Sequence, residues 1–232
     1  MATSQDPHSP RADATPGRPA LSLTSCALLF ALLTWQVVAE GPLRAADERA
    51  GRALVGSRIP GRAAEFLADL GNITVAVPVL AAVIAYVSWH LRRAGTFRWW
   101  LPGLAAAVTM ACVPALVAPL KSLITRPGPP GMTGEGGFYP SGHAATALVA
   151  YGAAALLLLP LLHSAYGRRE LVIGCALLNV AIGFGLVRQG YHWPLDVVAS
   201  WLLSAMLLQG MVLVVARLSR STRRSSSRTP GC

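Results

Sequence analysis

The sequence predicts an all-α integral membrane protein with six transmembrane helices. Three observations carry that expectation. First, 53% of the 232 residues are apolar and only 13% are charged, and the mean hydropathy is +0.50, a balance foreign to soluble domains of this length. Second, the chain contains six stretches near the roughly 20 apolar residues that an α-helix needs to cross the hydrocarbon core. Third, the basic residues between those stretches are distributed unevenly, as the positive-inside rule requires of a multi-pass protein.

In chain order, residues 1–20 are rich in Pro, Ala and polar residues without periodicity and read as a disordered tail. The first apolar stretch, Leu21–Ala39, is long for a signal peptide and has a poor cleavage site near Val37–Ala39, so it reads as an uncleaved anchor. Residues 40–72 mix Arg and acidic residues with Leu43, Leu54, Val55, Phe66, Leu67 and Leu70, a pattern of one or two interfacial amphipathic helices broken at Pro60-Gly61. The further spans are Ile73–Trp89, Leu101–Leu120, Ala144–Leu162, Leu171–Val187 and Leu195–Ala216. Residues 218–232 are Arg- and Ser-rich and read as a second disordered tail, leaving 21–217 as the membrane domain.

With both termini cytoplasmic, the inner side carries Arg11, Arg18, Arg92, Arg93, Arg98, Arg168, Arg169, Arg217, Arg220, Arg223, Arg224 and Arg228 against only Asp6, Asp13 and Glu170. Nearly all of the formal net charge of +10 is then inner-face charge, suited to anionic lipid headgroups. Arginines dispersed in short loops beside apolar helices do not describe a nucleic-acid surface. Cys26, Cys112 and Cys175 lie in apolar segments and Cys232 ends the chain, so neither a disulfide framework nor metal-ligand spacing is present.

The same topology gathers a set of polar residues at the outer face. Residues 121–143, of which 121–140 hold Pro127, Pro129, Pro130, Pro140 and five glycines, form an irregular connection that frames a pocket at the membrane boundary. Lys121 stands at its start, where a lone lysine would ordinarily be a snorkelling residue, and Arg126 follows five residues later. At its end stands Pro140-Ser141-Gly142-His143. Ser141 suits a helix N-cap, and the backbone N–H groups of Gly142 and His143 at the helix start suit an anion. Taken alone, that string is only a helix cap. Before the last span, His192-Trp193-Pro194-Leu195-Asp196 places Pro194 in the first helical turn and Asp196 within reach of His192. A carboxylate accepting from one ring nitrogen leaves the other as a nucleophile. Equally, Asp196 by itself suits the helix dipole.

Together these strings resemble the type 2 phosphatidic acid phosphatases (PAP2), a family that shares its helical core with vanadium haloperoxidases. The resemblance covers roughly residues 40–218 and implies a helical bundle with its active site at the extracytoplasmic face. It also implies that His192 attacks phosphorus, oriented by Asp196, that His143 protonates the leaving group, and that Lys121, Arg126, Ser141, Gly142 and Arg188 hold the phosphate oxygens. No metal or other cofactor is implied. Two positions depart from the family pattern: its arginine seven residues after Lys121 falls on Gly128, and its Ser-Arg pair falls on Gly185-Leu186. Arg126 and Arg188 are expected to serve instead through their long planar forks.

The expected activity is hydrolysis of a lipid phosphate or pyrophosphate, such as phosphatidic acid, phosphatidylglycerol phosphate or a polyprenyl pyrophosphate like undecaprenyl pyrophosphate. The expected location is the cell membrane, with lipid as substrate and no nucleic-acid partner. Two other readings stand: a lipid phosphotransferase, and a noncatalytic lipid-binding protein of the same fold, the latter motivated by the displaced arginines. A transporter fits less well, because the ionisable residues cluster at one face rather than at mid-depth.

Overall fold

The structure is a computed structural model and describes residues 18–58, 60–132 and 137–226. The described residues form α1 (Arg18–Val38), α2 (Pro42–Val55), α3 (Gly61–Asp69), α4 (Ile73–Arg93), α5 (Leu101–Leu123), α6 (Gly142–Leu158), a 3₁₀ turn (Leu159–Leu161), α7 (Ala165–Arg188) and α8 (Pro194–Ser226). Six of these helices, α1 and α4 to α8, are long and apolar enough to cross a membrane. Their outward faces carry Leu28, Leu32, Trp35, Leu104, Val108, Leu177 and Val212, all exposed. An apolar surface of that extent matches hydrocarbon and not water.

Helix α6 is the central post, against which α4, α5, α7 and α8 pack. Lipid tails offer no hydrophobic driving force between helices, so packing at small residues carries association. Accordingly α6 presents Ala144, Ala145, Ala147, Ala150, Ala153 and Gly152, all buried. A Cβ on Gly152 would lie 2.6 Å from Leu208 Cδ1 of α8. Helices α4 and α5 touch each other only sparsely, each leaning on α6 instead. Helix α1 runs along α8.

Of the one or two helices expected between residues 40 and 72, two form, α2 and α3, with α3 starting at the expected Pro60-Gly61 break. Helix α3 lies along α7, with Ala64 and Ala68 fully buried against Gly185. Helix α2 bridges α1, α7 and α8. Both therefore dock on one end of the bundle, roofing the point where α5 and α7 end and α6 and α8 begin.

Several boundaries move outward relative to the apolar runs. Helix α7 begins at Ala165 rather than Leu171, because Ser164 caps it by accepting from Gly167 N–H. Helix α4 continues through His90, Arg92 and Arg93, cations suited to a helix C-terminus. There Arg93 lies 4.4 Å over the Trp89 ring and Arg92 5.5 Å over Trp99, an arginine-tryptophan belt at the end opposite the site. Helix α8 corrects the expected tail: residues 218–226 are helical. At 33 residues it is about 50 Å long by its rise, well beyond the hydrocarbon thickness, and arginine propagates a nucleated helix readily. Residues 1–17 and 227–232, expected as tails, lie outside the described residues.

The α3–α7 contact yields a direct test. A Cβ at Gly185 would lie 2.6 Å from Ala64 O and 2.7 Å from Ala68 N, both backbone atoms, whereas a Cβ at Gly174 meets nothing within 4 Å. Gly185→Ala is expected to lower stability by about 1–3 kcal/mol through overpacking. Gly174→Ala is expected to be neutral or slightly stabilising. Thermal unfolding of both variants in detergent checks this, and equal melting temperatures would show that the helices are not in contact as described.

Candidate active site

The site residues converge because four helix termini meet at one end of the bundle. Helix α7 stops at Arg188 through a glycine turn: Gly190 has φ +71°, its N–H donates to Val187 O at 2.9 Å, and Tyr191 N–H donates to Leu186 O at 2.9 Å. This is the two-bond pattern in which a left-handed glycine satisfies the last carbonyls of a helix. It reverses the chain within a few residues, so that His192 stands directly before α8. Asp196 sits in the first turn of α8, and its Oδ2 accepts from Trp193 N–H at 3.0 Å, closing the helix start from inside. His192 Nδ1 lies 3.4 Å from the same Oδ2.

Ser141 is buried and caps α6 by accepting from Ala144 N–H at 3.3 Å. The two helix starts are tied together, since Ser141 N–H donates to Asp196 O at 3.1 Å and Ser200 Oγ donates to Ser141 O at 2.8 Å. Tyr139, fully buried just before, bonds Thr34 of α1 at 2.9 Å. Burial pushes its phenol up to about 12, so it is an uncharged anchor for the loop.

Asp196 does not act alone. Arg126 Nη1 donates to its Oδ1 at 2.6 Å, and Arg126 Nη2 donates to Asp47 Oδ2 at 2.5 Å. All three side chains are almost fully removed from solvent. Asp47 comes from α2, and its other oxygen accepts from Leu195 N–H at 2.8 Å, in the first turn of α8. Burial pushes the Asp47 carboxyl up from the ordinary carboxylate range, against the opposing pull of Arg126 and the Leu195 N–H. The sequence reading did not single out Asp47. Its signal was there: by helical spacing it falls in line with the apolar Leu43, Ala50 and Leu54 of an amphipathic helix, and in the structure Asp47 and Gly51 are the residues of α2 that are buried, where an unpaired carboxylate would be costly.

Arg126 and Arg188, expected to hold phosphate oxygens, are engaged by protein acceptors instead. Both terminal nitrogens of Arg126 are on carboxylates. Arg188 Nη1 and Nη2 donate to Val55 O and Ser57 O, each at 2.9 Å, at the C-terminal end of α2. A buried guanidinium must find such partners, and the docking of α2 that supplies them is a tertiary event. The positions where the family arginines fall are closed to a cation. A Cβ on Gly128 would lie 2.7 Å from the Phe138 ring, which stands edge-on to His192 at 6.0 Å between centroids. Leu186 is 1% exposed in an apolar cluster with Ala144, Ile182 and Val197.

Two cavities open beside these residues. A small one of about 100 Å³ is bounded by His192, Trp193, Val187, Pro129, Pro130 and, from α2, Gly51, Arg52 and Val55. A long groove of about 770 Å³ runs between α4 and α5 past Ile73, Val77, Met110, Ala111, Pro114 and Ala118, and includes Lys121, Gly142 and His143 in its wall. His143 is exposed there, and Lys121 is half-buried in the same wall. The structure thus brings His192 and Asp196 into one dyad, and gathers His143, Lys121 and Gly142 along the adjoining groove. The Ser141 side chain serves the helix start.

The charge cluster sets an expectation for stability. Arg126→Met leaves two buried carboxylates without their counter-ion and is expected to cost about 3–5 kcal/mol at neutral pH. Because the Asp47 carboxyl is already raised, its protonated form is the one favoured by folding. The stability tied to it is therefore fully present at low pH and lost as pH rises through the raised value. The melting-temperature deficit of Arg126→Met should accordingly shrink as the buffer is taken from neutral toward mildly acidic pH. A deficit that stays constant over that range would rule out the ion-pair account.

The PAP2 superfamily model matches residues 102–220, slightly more than half of the chain, from the first turn of α5 into α8. By structure, the chain is similar to a transmembrane PAP2-type phosphatidylglycerolphosphate phosphatase from Bacillus subtilis, with a TM-score of 0.71 and 22% identity over 86% of this chain and 96% of that one. No curated protein matches the sequence significantly. The helical architecture, the order of the polar strings along it and the family match agree: the chain belongs to the PAP2 superfamily.

Proposed function

We propose that the protein is a membrane lipid phosphatase that cleaves a terminal phosphate or pyrophosphate from an amphiphilic substrate through a phosphohistidine on His192. The observation that carries this reading is the juxtaposition of a carboxylate-held imidazole, His192 with Asp196 at 3.4 Å, and an apolar groove walled in part by His143 and Lys121. The groove lies in the size range of ligand sites, and its walls are α4, α5 and the start of α6. An acyl or prenyl chain lying there would bring its headgroup to the histidines.

In the proposed reaction, Asp196 holds the proton on His192 Nδ1, so that the lone pair on Nε2 attacks phosphorus. The P–O bond to the lipid breaks as the P–N bond forms, and the departing oxygen takes a proton from His143. Water then attacks the phosphohistidine, giving its proton to His143 and releasing inorganic phosphate with neutral His192. Lys121 and the backbone N–H groups at the start of α6 would oppose the charge on the equatorial oxygens. With Arg126 and Arg188 occupied elsewhere, Arg52 at the His192 cavity is the guanidinium that we assign to the phosphate. No step needs a metal ion.

The arginines Arg92, Arg93, Arg98, Arg168, Arg169, Arg217 and Arg220 belong to the opposite end of the bundle, at the helix ends away from the site. The positive-inside rule then supports cytoplasmic termini and an extracytoplasmic site. A second reading, a lipid-binding protein without turnover, is favoured by the apolar closure around Gly128 and Leu186.

Phosphate release by the purified full chain in detergent and EDTA separates the two. The panel is phosphatidic acid, phosphatidylglycerol phosphate, diacylglycerol pyrophosphate and a polyprenyl pyrophosphate. We expect EDTA-resistant release from at least one lipid, abolished by His192→Ala. His143→Ala should slow it by about 10²–10⁴-fold, the usual contribution of a positioned acid, with the smaller loss on pyrophosphates, whose leaving group needs less protonation. Binding of all four lipids without release above the His192→Ala background would establish the noncatalytic reading.

A further inference from the structure

The way Arg126 is divided carries one more inference, which rests on the histidine mechanism proposed above. A guanidinium presents a planar fork that matches both oxygens of a single carboxylate. Here the fork is split, with Nη1 on Asp196 Oδ1 and Nη2 on Asp47 Oδ2. The split leaves Asp196 Oδ2 for two other donors, His192 Nδ1 and Trp193 N–H. Were the second nitrogen not held by Asp47, the fork would close on Asp196 alone and compete for the oxygen that orients the imidazole. Glu48 lies 3.9 Å from Nη2, beyond hydrogen-bond distance, so it adds an ion pair but does not hold that arm of the fork as Asp47 does.

We propose that Asp47 is a positioning residue for the reaction: by holding one arm of Arg126 away from Asp196, it reserves Asp196 Oδ2 for His192. Charge works in the same direction. Two carboxylates around one guanidinium leave a net negative charge beside the ring, which favours the positive charge that develops on His192 as phosphorus is attacked. Asp47 also joins the device to the interfacial layer, since α2 carries it and α2 lines the His192 cavity through Gly51, Arg52 and Val55. A displacement of α2 would thus alter the cavity and the nucleophile together.

Asp47→Asn is the discriminating variant, because its amide oxygen still accepts from Leu195 N–H, while the charge that holds Arg126 is gone. We expect kcat to fall by roughly 10- to 100-fold, the range for groups that orient a working imidazole, with KM changed less than about twofold and most of kcat restored in Asp47→Glu. A purely structural role would instead lower the melting temperature and leave kcat per folded molecule unchanged, which overturns the proposal. Independently of turnover, ¹⁵N-histidine spectra of the full chain, with His192 assigned by His192→Ala, should show the Nδ1–H tautomer in the wild type and a mixture in Asp47→Asn. An unchanged tautomer overturns the positioning role even if activity falls. Loss of all wild-type turnover beside the expected tautomer shift would instead overturn the phosphatase reading and leave the positioning of His192 standing.

Discussion

The buried guanidinium of Arg126 is the constraint on which the site depends. A charge removed from water costs several kcal/mol unless it is paired and hydrogen-bonded, and this one is paired twice, to Asp47 of α2 and Asp196 of α8. Those two pairs pin the loop after α5, helix α2 and the first turn of α8 to one point. Asp196 then has a fixed orientation toward His192. The first turn of α8 is satisfied on two sides, by Asp196 itself and by Asp47.

Around that point the bundle is assembled by size rather than by hydrophobicity. Helix α6 is almost uniformly apolar and yet buries chiefly alanine and glycine, because close backbone approach is what holds helices together in lipid. The same economy of side chains lets Gly185 lie against α3, and lets Gly51 accept the Trp193 ring, whose carbon would be 2.7 Å from a Cβ there. Trp193 is held further by donating to Pro127 O at 3.0 Å. Arg126 and Arg52 lie over its ring at 5.7 and 5.9 Å. The residue between His192 and α8 is thereby held by contacts on several sides. The groove between α4 and α5 is the complement: where two helices meet only sparsely, about 770 Å³ stays open between them.

Within the PAP2 superfamily, this chain departs at the positions where arginines would face the phosphate. Phe138 fills the space at Gly128, and Leu186 contributes to the core. The two guanidinia expected to serve in their place have other partners. Arg126 orders carboxylates, and Arg188 closes the end of α2. The interfacial helix is thus bound to the site by both arginines, one reaching its middle and one its end.

The sequence by itself determined the six spans, the break at Pro60, the gathering of polar strings at one end and the dyad of His192 with Asp196, because these follow from hydropathy, helix punctuation and spacing within a few residues. Local chemistry also placed Ser141 as a cap and Pro194 in a first turn. Only the tertiary structure decided the partners of Arg126, Arg188 and Asp47. A long side chain chooses among partners that the fold brings near, and the carboxylate chosen by Arg126 lies 79 residues away in the chain. A carboxylate within the apolar stripe of α2 was the local trace of that choice, but its meaning rests on which helix end the stripe is docked against.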